Sequence, residues 1–330
     1  MDARTATGAA GQAAPEPDAS EIRNLLAGLQ APQKHLNPKH FYDQRGSALF
    51  EQITRLPEYY PTRTEISLLK SRARAIAELV GENTVLIEPG AGNCEKVRYL
   101  LDALRPSRYV PMDISGDYLR QAARELREAF PWLEVQPLTA DFSQGLQLPP
   151  VTPPHRAVVF YPGSTIGNFE PARAADFLRQ VAGHIHPDGG LLLGVDLHKD
   201  PAILNAAYND SQGITAAFNR NALSHLNQRF GASFDPENFE HQAFYNEPLQ
   251  RIEMHLCCQQ DHTVKLNGHT LTFRRGETIH TENSYKYTLD DIERLAEQAG
   301  MTLTQSWVDD EQLFSINYAR AKRGRFKSKV

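Results

Sequence analysis

Between residues 84 and 197, short apolar runs alternate with segments whose apolar residues recur at helical spacing, and this alternation restricts the fold more than any other feature of the chain. The runs fall at residues 85–87, 109–110, 135–138, 158–161 and 191–195. Strands that alternate with helices pack as a parallel sheet with the helices on its faces. The segment therefore predicts an α/β fold.

The C-terminal part adds a helix and two strands to this sheet. Thr288 and Asp291 have the spacing of a capping box, and Gly300 ends the helix that follows. Residues 301–307 and 313–318 then have strand composition on either side of a polar turn. The pattern predicts a mostly parallel, seven-stranded sheet with a C-terminal antiparallel hairpin.

Residues 200–286 differ from the segments on either side. Helical stretches rich in Ala and Asn come first, and alternating strands follow. Ile252, Met254 and Leu256 alternate with polar residues, so one face of their strand is apolar. Asn267-Gly268 indicates a tight hairpin. We expect an inserted α+β subdomain here.

Composition restricts the partners and the compartment. The formal net charge of -5 disfavours a nucleic-acid partner and favours a small-molecule substrate. The three cysteines include the adjacent pair Cys257 and Cys258, which fits a reducing cytoplasm better than a disulfide framework. No segment is apolar enough to cross a membrane. We expect a cytoplasmic monomer with a disordered tail at residues 1–20 and a basic tail at 321–330.

A glycine turn after the first strand indicates a cofactor site. Gly90 and Gly92 let a ligand approach the backbone, and Asp113 follows at the distance suited to binding ribose hydroxyls. The third glycine of the dinucleotide fingerprint is missing, which weakens a phosphate-binding interpretation. S-adenosylmethionine has no phosphate, and its sulfonium cation suits the carboxylates of Glu88, Asp113 and Asp141. The sequence favours an adenosyl site.

Three longer motifs carry a family resemblance. They are His40-Phe41-Tyr42-Asp43, Leu56-Pro57-Glu58-Tyr59-Tyr60-Pro61-Thr62-Arg63 and Gly163-Ser164-Thr165-Ile166-Gly167-Asn168. The chain resembles the ergothioneine-pathway histidine Nα-methyltransferases over residues 38–320. The resemblance implies a class I, Rossmann-like methyltransferase domain at 64–199 and 287–320, with a substrate-binding subdomain at 21–63 and 200–286.

The resemblance also implies the reaction and the site. S-adenosylmethionine would donate three methyl groups in succession to the α-nitrogen of L-histidine, which gives hercynine. The implied cofactor residues are Gly90, Lys96, Asp113, Asp141, Phe142 and Gly163. The implied catalytic residue is Tyr42, and the implied substrate residues are Tyr59, Asn168, Tyr208, Met254, Glu282 and Ser284.

The chemistry of these side chains fits an amino acid substrate. Asn168 and Tyr208 can donate hydrogen bonds to a carboxylate without placing a positive charge beside the sulfonium. Glu282 and Ser284 are two residues apart, so on a strand they share a face and can hold the two imidazole nitrogens. Met254 shares an apolar face with Ile252, and its pattern alone favours core packing.

Several alternatives stay open at this stage. A relative acting on tryptophan would need no carboxylate at Glu282. A nicotinamide oxidoreductase would share the sheet but is disfavoured by the incomplete glycine fingerprint. A catalytically silent binding protein is disfavoured by the full set of polar residues. No metal is expected, because neither His184 and His186 nor the group around His255 completes a ligand set by spacing.

Overall fold

The structure is a computed structural model that describes residues 17–141, 145–152, 155–185 and 188–322. Its helices are α1 Ala19–Gln30, α2 Gln44–Ile53, α3 Tyr60–Val80, α4 Arg98–Leu104, α5 Gly116–Ala129, α6 Pro171–His184, α7 Pro201–Tyr208, α8 Ile214–Phe230 and α9 Leu289–Gln298. Its strands are β1 Lys34–His35, β2 Thr84–Pro89, β3 Arg108–Asp113, β4 Glu134–Val135, β5 Leu138–Thr139, β6 Arg156–Tyr161, β7 Gly190–Asp196, β8 Phe239–Asn246, β9 Arg251–Cys258, β10 His262–Leu266, β11 His269–Phe273, β12 Thr278–Tyr285, β13 Met301–Val308 and β14 Phe314–Ala321.

The larger sheet has the order β13-β14-β7-β6-β2-β3-β4, and β5 also pairs with β3. The strands from β7 to β5 pair in parallel, whereas β14 runs antiparallel to both β7 and β13. The predicted third strand is present as two short strands, because Gln136 and Pro137 interrupt it. The predicted α/β fold with a C-terminal antiparallel hairpin is confirmed.

Helices cover both faces of this sheet. Val85 and Ile87 of β2 point into a core formed with α6 and α9, whereas Leu86 between them points into a second core with α3, α4 and α5. All six residues of β2 are buried. A strand buried on both faces has a continuous apolar sequence, which explains why these strands were recognisable without alternation.

The second unit is a four-stranded sheet, β1-β12-β9-β8, with helices on one face and the β10–β11 hairpin beside it. Residues of α1, α2, α7 and α8 share one hydrophobic core with β9 and β12. Helix α3 joins the two units, since Tyr60 at its start lies in this core and Leu69 further along lies under the larger sheet.

The structure corrects the predicted tail boundaries. Helix α1 begins at Ala19, inside the tail expected at residues 1–20, because Asp18 caps it by accepting hydrogen bonds from the backbone N–H groups of Ser20 and Glu21 at 2.7 and 2.8 Å. Strand β14 ends at Ala321, one residue beyond the expected boundary. Residues 1–16 and 323–330 of the two tails lie outside the described residues. No helix within the described ranges is long and apolar enough to cross a membrane.

We predict that Gly46→Ala destabilises the protein and disturbs the chain just before Tyr42. A Cβ at Gly46 would lie 1.6 Å from the backbone oxygen of Phe41, so the backbone must move. We expect a loss of about 1–3 kcal/mol in the free energy of unfolding, measured by urea denaturation. Gly183→Ala in α6 is the control, since nothing lies within 4 Å of a Cβ there. Equal stability of the two variants would contradict the prediction.

Candidate active site

A cavity of about 540 Å³ lies between the two units, at the carboxyl ends of the parallel strands. This is where ligands bind in open α/β sheets. Eleven of the thirteen residues predicted from the sequence line it. These are Tyr42, Tyr59, Gly90, Lys96, Asp113, Asp141, Gly163, Asn168, Tyr208, Glu282 and Ser284.

The glycine turn after β2 forms one wall. Gly90 and Gly92 have φ values of +72° and +53°, which favour glycine, and a Cβ on either would meet nothing within 4 Å. The backbone is therefore open to a ligand on the cavity side. Asp113 is held at the end of β3, where its carboxylate accepts hydrogen bonds from the N–H groups of Gly92 at 3.0 Å and Ser115 at 2.9 Å.

A buried carboxylate fixes two further residues of the cavity lining. Glu65 of α3 is 1 % exposed and accepts hydrogen bonds from the Gly163 N–H at 2.9 and 3.0 Å. It also pairs with the Lys96 ammonium at 2.7 Å. Gly194 lies against it, and a Cβ there would fall 2.0 Å from a Glu65 oxygen. Both Lys96 and Gly163 are thus fixed by a residue that the sequence did not identify.

Two acidic residues of the cavity lie in different electrostatic surroundings. Burial raises the pKa of Glu88 to about 8, even though Tyr109 donates a hydrogen bond to it. A cation placed beside Glu88 would favour its ionised form, as a sulfonium or ammonium group does. Asp141 pairs with the Lys39 ammonium at 3.3 Å. Phe142, one of the implied cofactor residues, lies outside the described residues.

The second unit contributes phenol rings to the cavity. The ring of Tyr59 stacks edge-on with those of Phe50 and Tyr208, at centroid distances of 6.5 and 6.2 Å. The ring of Tyr42 packs in the same way on Phe50, at 5.9 Å. Burial raises the pKa of Tyr42 and of Tyr59 well above the ordinary value. Both phenols are therefore neutral near pH 7 and can donate hydrogen bonds.

Among the residues predicted from the sequence, four polar groups line the cavity without a hydrogen-bond partner in the described part of the chain. They are the hydroxyls of Tyr42 and Tyr59, the amide of Asn168 and the carboxyl of Glu282. Burial raises the pKa of Glu282 to about 7, and the charge of Lys286 works in the opposite direction. Polar groups enclosed in this way usually bind something, so these four mark where a polar ligand would lie.

Ser284 and Tyr208 belong to a hydrogen-bonded network that continues behind the cavity wall. The Tyr208 hydroxyl donates to Ser284 Oγ at 2.8 Å, and the Lys286 ammonium donates to the same oxygen at 2.7 Å. Lys286 also pairs with the buried carboxylate of Asp196 at 2.7 Å. The sequence analysis did not identify Asp196 or Lys286. The i, i+2 spacing from Glu282 through Ser284 to Lys286 would have pointed to the lysine.

Met254 does not line the cavity. It is 2 % exposed and packs in the hydrophobic core of the second unit. It pairs across the sheet with Glu282, so its side chain lies beside this predicted substrate residue on the same face of the sheet. Met254 is buried because it lies on the apolar face of β9, together with Ile252 and Leu256 of the same core.

A group of potential metal ligands lies outside the cavity. Atoms of Glu253, His255 and His280 fall within 4.8 Å of one another. The two imidazole rings stack almost parallel, at 15° and 4.5 Å, so their in-plane lone pairs do not converge on one point. Glu253 already pairs with Arg251 at 2.7 Å. Ring stacking and ion pairing account for this cluster.

The fold and the cavity together define a class of enzyme. A sheet of this strand order, a glycine turn that lacks the phosphate fingerprint and a cavity lined by carboxyl groups and phenols fit an adenosyl sulfonium ligand. This is a class I, S-adenosylmethionine-dependent methyltransferase.

The chain belongs to the family described as "Histidine-specific methyltransferase, SAM-dependent", whose profile matches residues 21–321. The resemblance seen in the sequence is thereby confirmed, and a nicotinamide oxidoreductase and a silent binding protein are set aside.

Relatives of known activity differ in the substrate that their names state. A histidine N-alpha-methyltransferase of Mycolicibacterium smegmatis is 41% identical over 90% of this chain and 94% of its own length. Ergothioneine biosynthesis protein 1 of Neurospora crassa is 31% identical over 87% of this chain, which matches 33% of that protein. A 4-dimethylallyltryptophan N-methyltransferase of Claviceps purpurea is 28% identical over 87% of this chain and 90% of its own length.

We predict that Asp113→Ala weakens cofactor binding. The variant loses the carboxylate that the Gly92 and Ser115 amides hold at the cavity edge. The dissociation constant for S-adenosylhomocysteine, measured by calorimetry, should rise about 10- to 100-fold. Asp117→Ala, on the exposed surface of α5, should change it less than about twofold because its surface ion pair contributes little. A cofactor affinity unchanged in Asp113→Ala would contradict the assignment.

Proposed function

We propose that this enzyme transfers three methyl groups in succession from S-adenosylmethionine to the α-amino nitrogen of L-histidine. The product is Nα,Nα,Nα-trimethylhistidine, or hercynine, an intermediate of ergothioneine biosynthesis. The observation that carries the proposal is the pair of unpartnered groups, the Asn168 amide and the Glu282 carboxyl, in the same cavity as the glycine turn and Asp113. A histidine supplies a partner for each.

Asn168 and Tyr208 are proposed to hold the substrate carboxylate. In the proposed complex Ser284 donates to the Tyr208 hydroxyl, the reverse of the direction seen in the structure, so that Tyr208 and the Asn168 amide both donate to the carboxylate. Neither group places a positive charge close to the sulfonium. Asn168 ends the 3₁₀ turn Thr165–Asn168, directly after the Gly163 loop that Glu65 fixes. Because of this connection, the residue proposed to bind the substrate carboxylate lies next to the cofactor residues.

Glu282 and Ser284 are proposed to hold the imidazole ring. They lie two residues apart on β12 and both face the cavity. The Glu282 carboxylate accepts a hydrogen bond from one ring nitrogen, and Ser284 contacts the other. An indole has a single N–H and a larger ring, so it uses this pair poorly. The preference for histidine over tryptophan rests on these two residues.

Catalysis in this proposal is positioning of the amine. S-adenosylmethionine, when bound, supplies an electrophilic methyl group. The neutral Tyr42 hydroxyl contacts the amine and orients its lone pair toward the methyl group. This orientation lowers the entropic cost of reaching a reactive geometry. The nitrogen becomes a fixed cation after the third transfer, and the faces of Tyr42 and Tyr59 stabilise such a cation.

We also propose that the protein acts in the cytoplasm as a monomer. Cys94, Cys257 and Cys258 are all free thiols, as expected in a reducing compartment. Light scattering at several protein concentrations tests the oligomeric state.

Mass spectrometry of histidine incubated with the enzyme and S-adenosylmethionine tests the proposed product. We expect species that carry one, two and three added methyl groups, with the trimethylated species as the end point. Fragmentation should place all three methyl groups on the α-nitrogen. A parallel reaction with tryptophan should give little product. A reaction that stops at one methyl group, or that prefers tryptophan, would contradict the proposal.

Replacing Glu282 tests the histidine-specific contact. We predict that Glu282→Gln lowers kcat/KM for histidine about 10- to 100-fold, because a charge-assisted hydrogen bond to the ring is lost. Glu240→Gln, on the exposed edge strand β8, is the matched control and should have no effect.

The pH dependence follows from the same carboxyl group. The pKa of Glu282 is about 7, and the ionised form is the one that accepts the ring N–H. The substrate's own amine and imidazole give both proteins the same rise of kcat/KM with pH. Wild-type kcat/KM should show an additional rise through the pKa of Glu282, and the Gln variant should lack it. Identical pH profiles for the two proteins would refute this role of Glu282.

A further inference from the structure

Lys286 is a buried cation directly behind the cavity wall. It follows β12, is 2 % exposed, and does not itself line the cavity. Its ammonium pairs with Asp196, which is 1 % exposed, at 2.7 Å. A charge removed from water to this extent needs every one of its hydrogen bonds, because an unpaired buried charge is strongly destabilising.

The other two protons of this ammonium point to the substrate residues. Lys286 Nζ donates to Ser284 Oγ at 2.7 Å and to the Tyr208 hydroxyl at 3.3 Å, and these two hydroxyls lie 2.8 Å apart. Each oxygen thus contacts the ammonium and the other hydroxyl. This closed triangle leaves each hydroxyl one further hydrogen-bond direction, and both residues line the cavity.

We propose that Lys286 is a positioning residue that fixes the hydroxyl groups of Ser284 and Tyr208 in the orientation that recognises the substrate. The inference rests on the proposed function, since it assigns the substrate contacts to these two hydroxyls. Without the ammonium, the Ser284 side chain can turn among its staggered rotamers, and the hydroxyl then has to be ordered when the substrate binds.

Lys286 also acts on the neighbouring carboxyl of Glu282. Burial raises the pKa of Glu282, and the positive charge of Lys286 opposes that increase. The phenols of Tyr42, Tyr59 and Tyr208 also lie near this carboxyl and are neutral near pH 7. The His280 ring contacts the Glu282 carbonyl oxygen at 3.1 Å, and burial lowers the pKa of that imidazole. Removal of the ammonium should therefore move the pKa of Glu282 further upward.

Lys199 provides a matched comparison within the same network. Its ammonium pairs with the other oxygen of Asp196 at 2.6 Å, and its side chain is 6 % exposed. Its remaining contacts are the Tyr60 hydroxyl and the Leu197 carbonyl oxygen. Both lysines neutralise the same carboxylate, but of the two only Lys286 contacts Ser284 and Tyr208.

The test compares Lys286→Met with Lys199→Met. Each variant removes one ion pair from Asp196, so a merely structural role predicts similar effects. We expect Lys286→Met to raise the KM for histidine about tenfold or more and to shift the rise of kcat/KM to higher pH. Its dissociation constant for S-adenosylhomocysteine should stay within about twofold of wild type. Lys199→Met should leave the KM for histidine and the pH profile unchanged.

The outcomes separate the two proposals. Lack of histidine methylation by the wild-type enzyme overturns the proposed function itself. Activity in wild type, with equal changes in the two variants or with no change in Lys286→Met, overturns the role of Lys286 alone. Where Lys286→Met does not fold, Lys286→Gln takes its place. The Gln side chain keeps a donor for Ser284 but lacks the positive charge, so this variant should still shift the rise of kcat/KM to higher pH. An unshifted pH profile would count against the inference.

Discussion

The buried carboxylate of Asp196 is the interaction on which the arrangement of the two units depends. It lies at the carboxyl end of β7 and accepts hydrogen bonds from the Tyr60 hydroxyl at 2.7 and 2.8 Å, in addition to its two lysine pairs. Burial alone would raise its pKa, but Lys286 and Lys199 outweigh burial, and the pKa lies below its ordinary value. The group is therefore ionised and joins helix α3, the large sheet and strand β12 at one point.

The cavity combines acidic groups that titrate in different ranges. Glu88 and Glu282 have pKa values of about 8 and 7, both raised mainly by burial, whereas Asp196 is held ionised by its lysines. Glu88 and Glu282 can therefore lose or gain a proton when a cation or an imidazole binds, whereas Asp196 stays ionised. This division matches an enzyme whose ligands include a sulfonium, an amine and an imidazole.

Much of the fold and part of the cofactor site could be predicted from local sequence patterns, whereas most of the site lining was implied by the family resemblance. Buried parallel strands are continuous apolar runs, and the residues that end them meet at one sheet edge, as Gly90 and Asp113 do. Glu65 and Asp196 could not be found in this way. Each acts through partners distant in sequence, as in the contact of Glu65 with Gly163, which is 98 residues away.

The position of Met254 depends on a different kind of information. Its motif match suggested substrate contact, whereas its alternation with Ile252 and Leu256 indicated the core, and the structure places it in that core. Periodicity describes which face of a strand is buried, but it does not show where along that face a cavity opens. The location of the opening is set by how the two units meet.

Helix α3 has a mechanical consequence for how ligands enter and leave. Its 21 residues form a continuous rod about 31 Å long, with Tyr60 in the core of one unit and Leu69 in the core of the other. A continuous helix embedded at both ends does not provide a flexible hinge between the two units. Exchange of spent cofactor for fresh S-adenosylmethionine then depends on the loops around the opening.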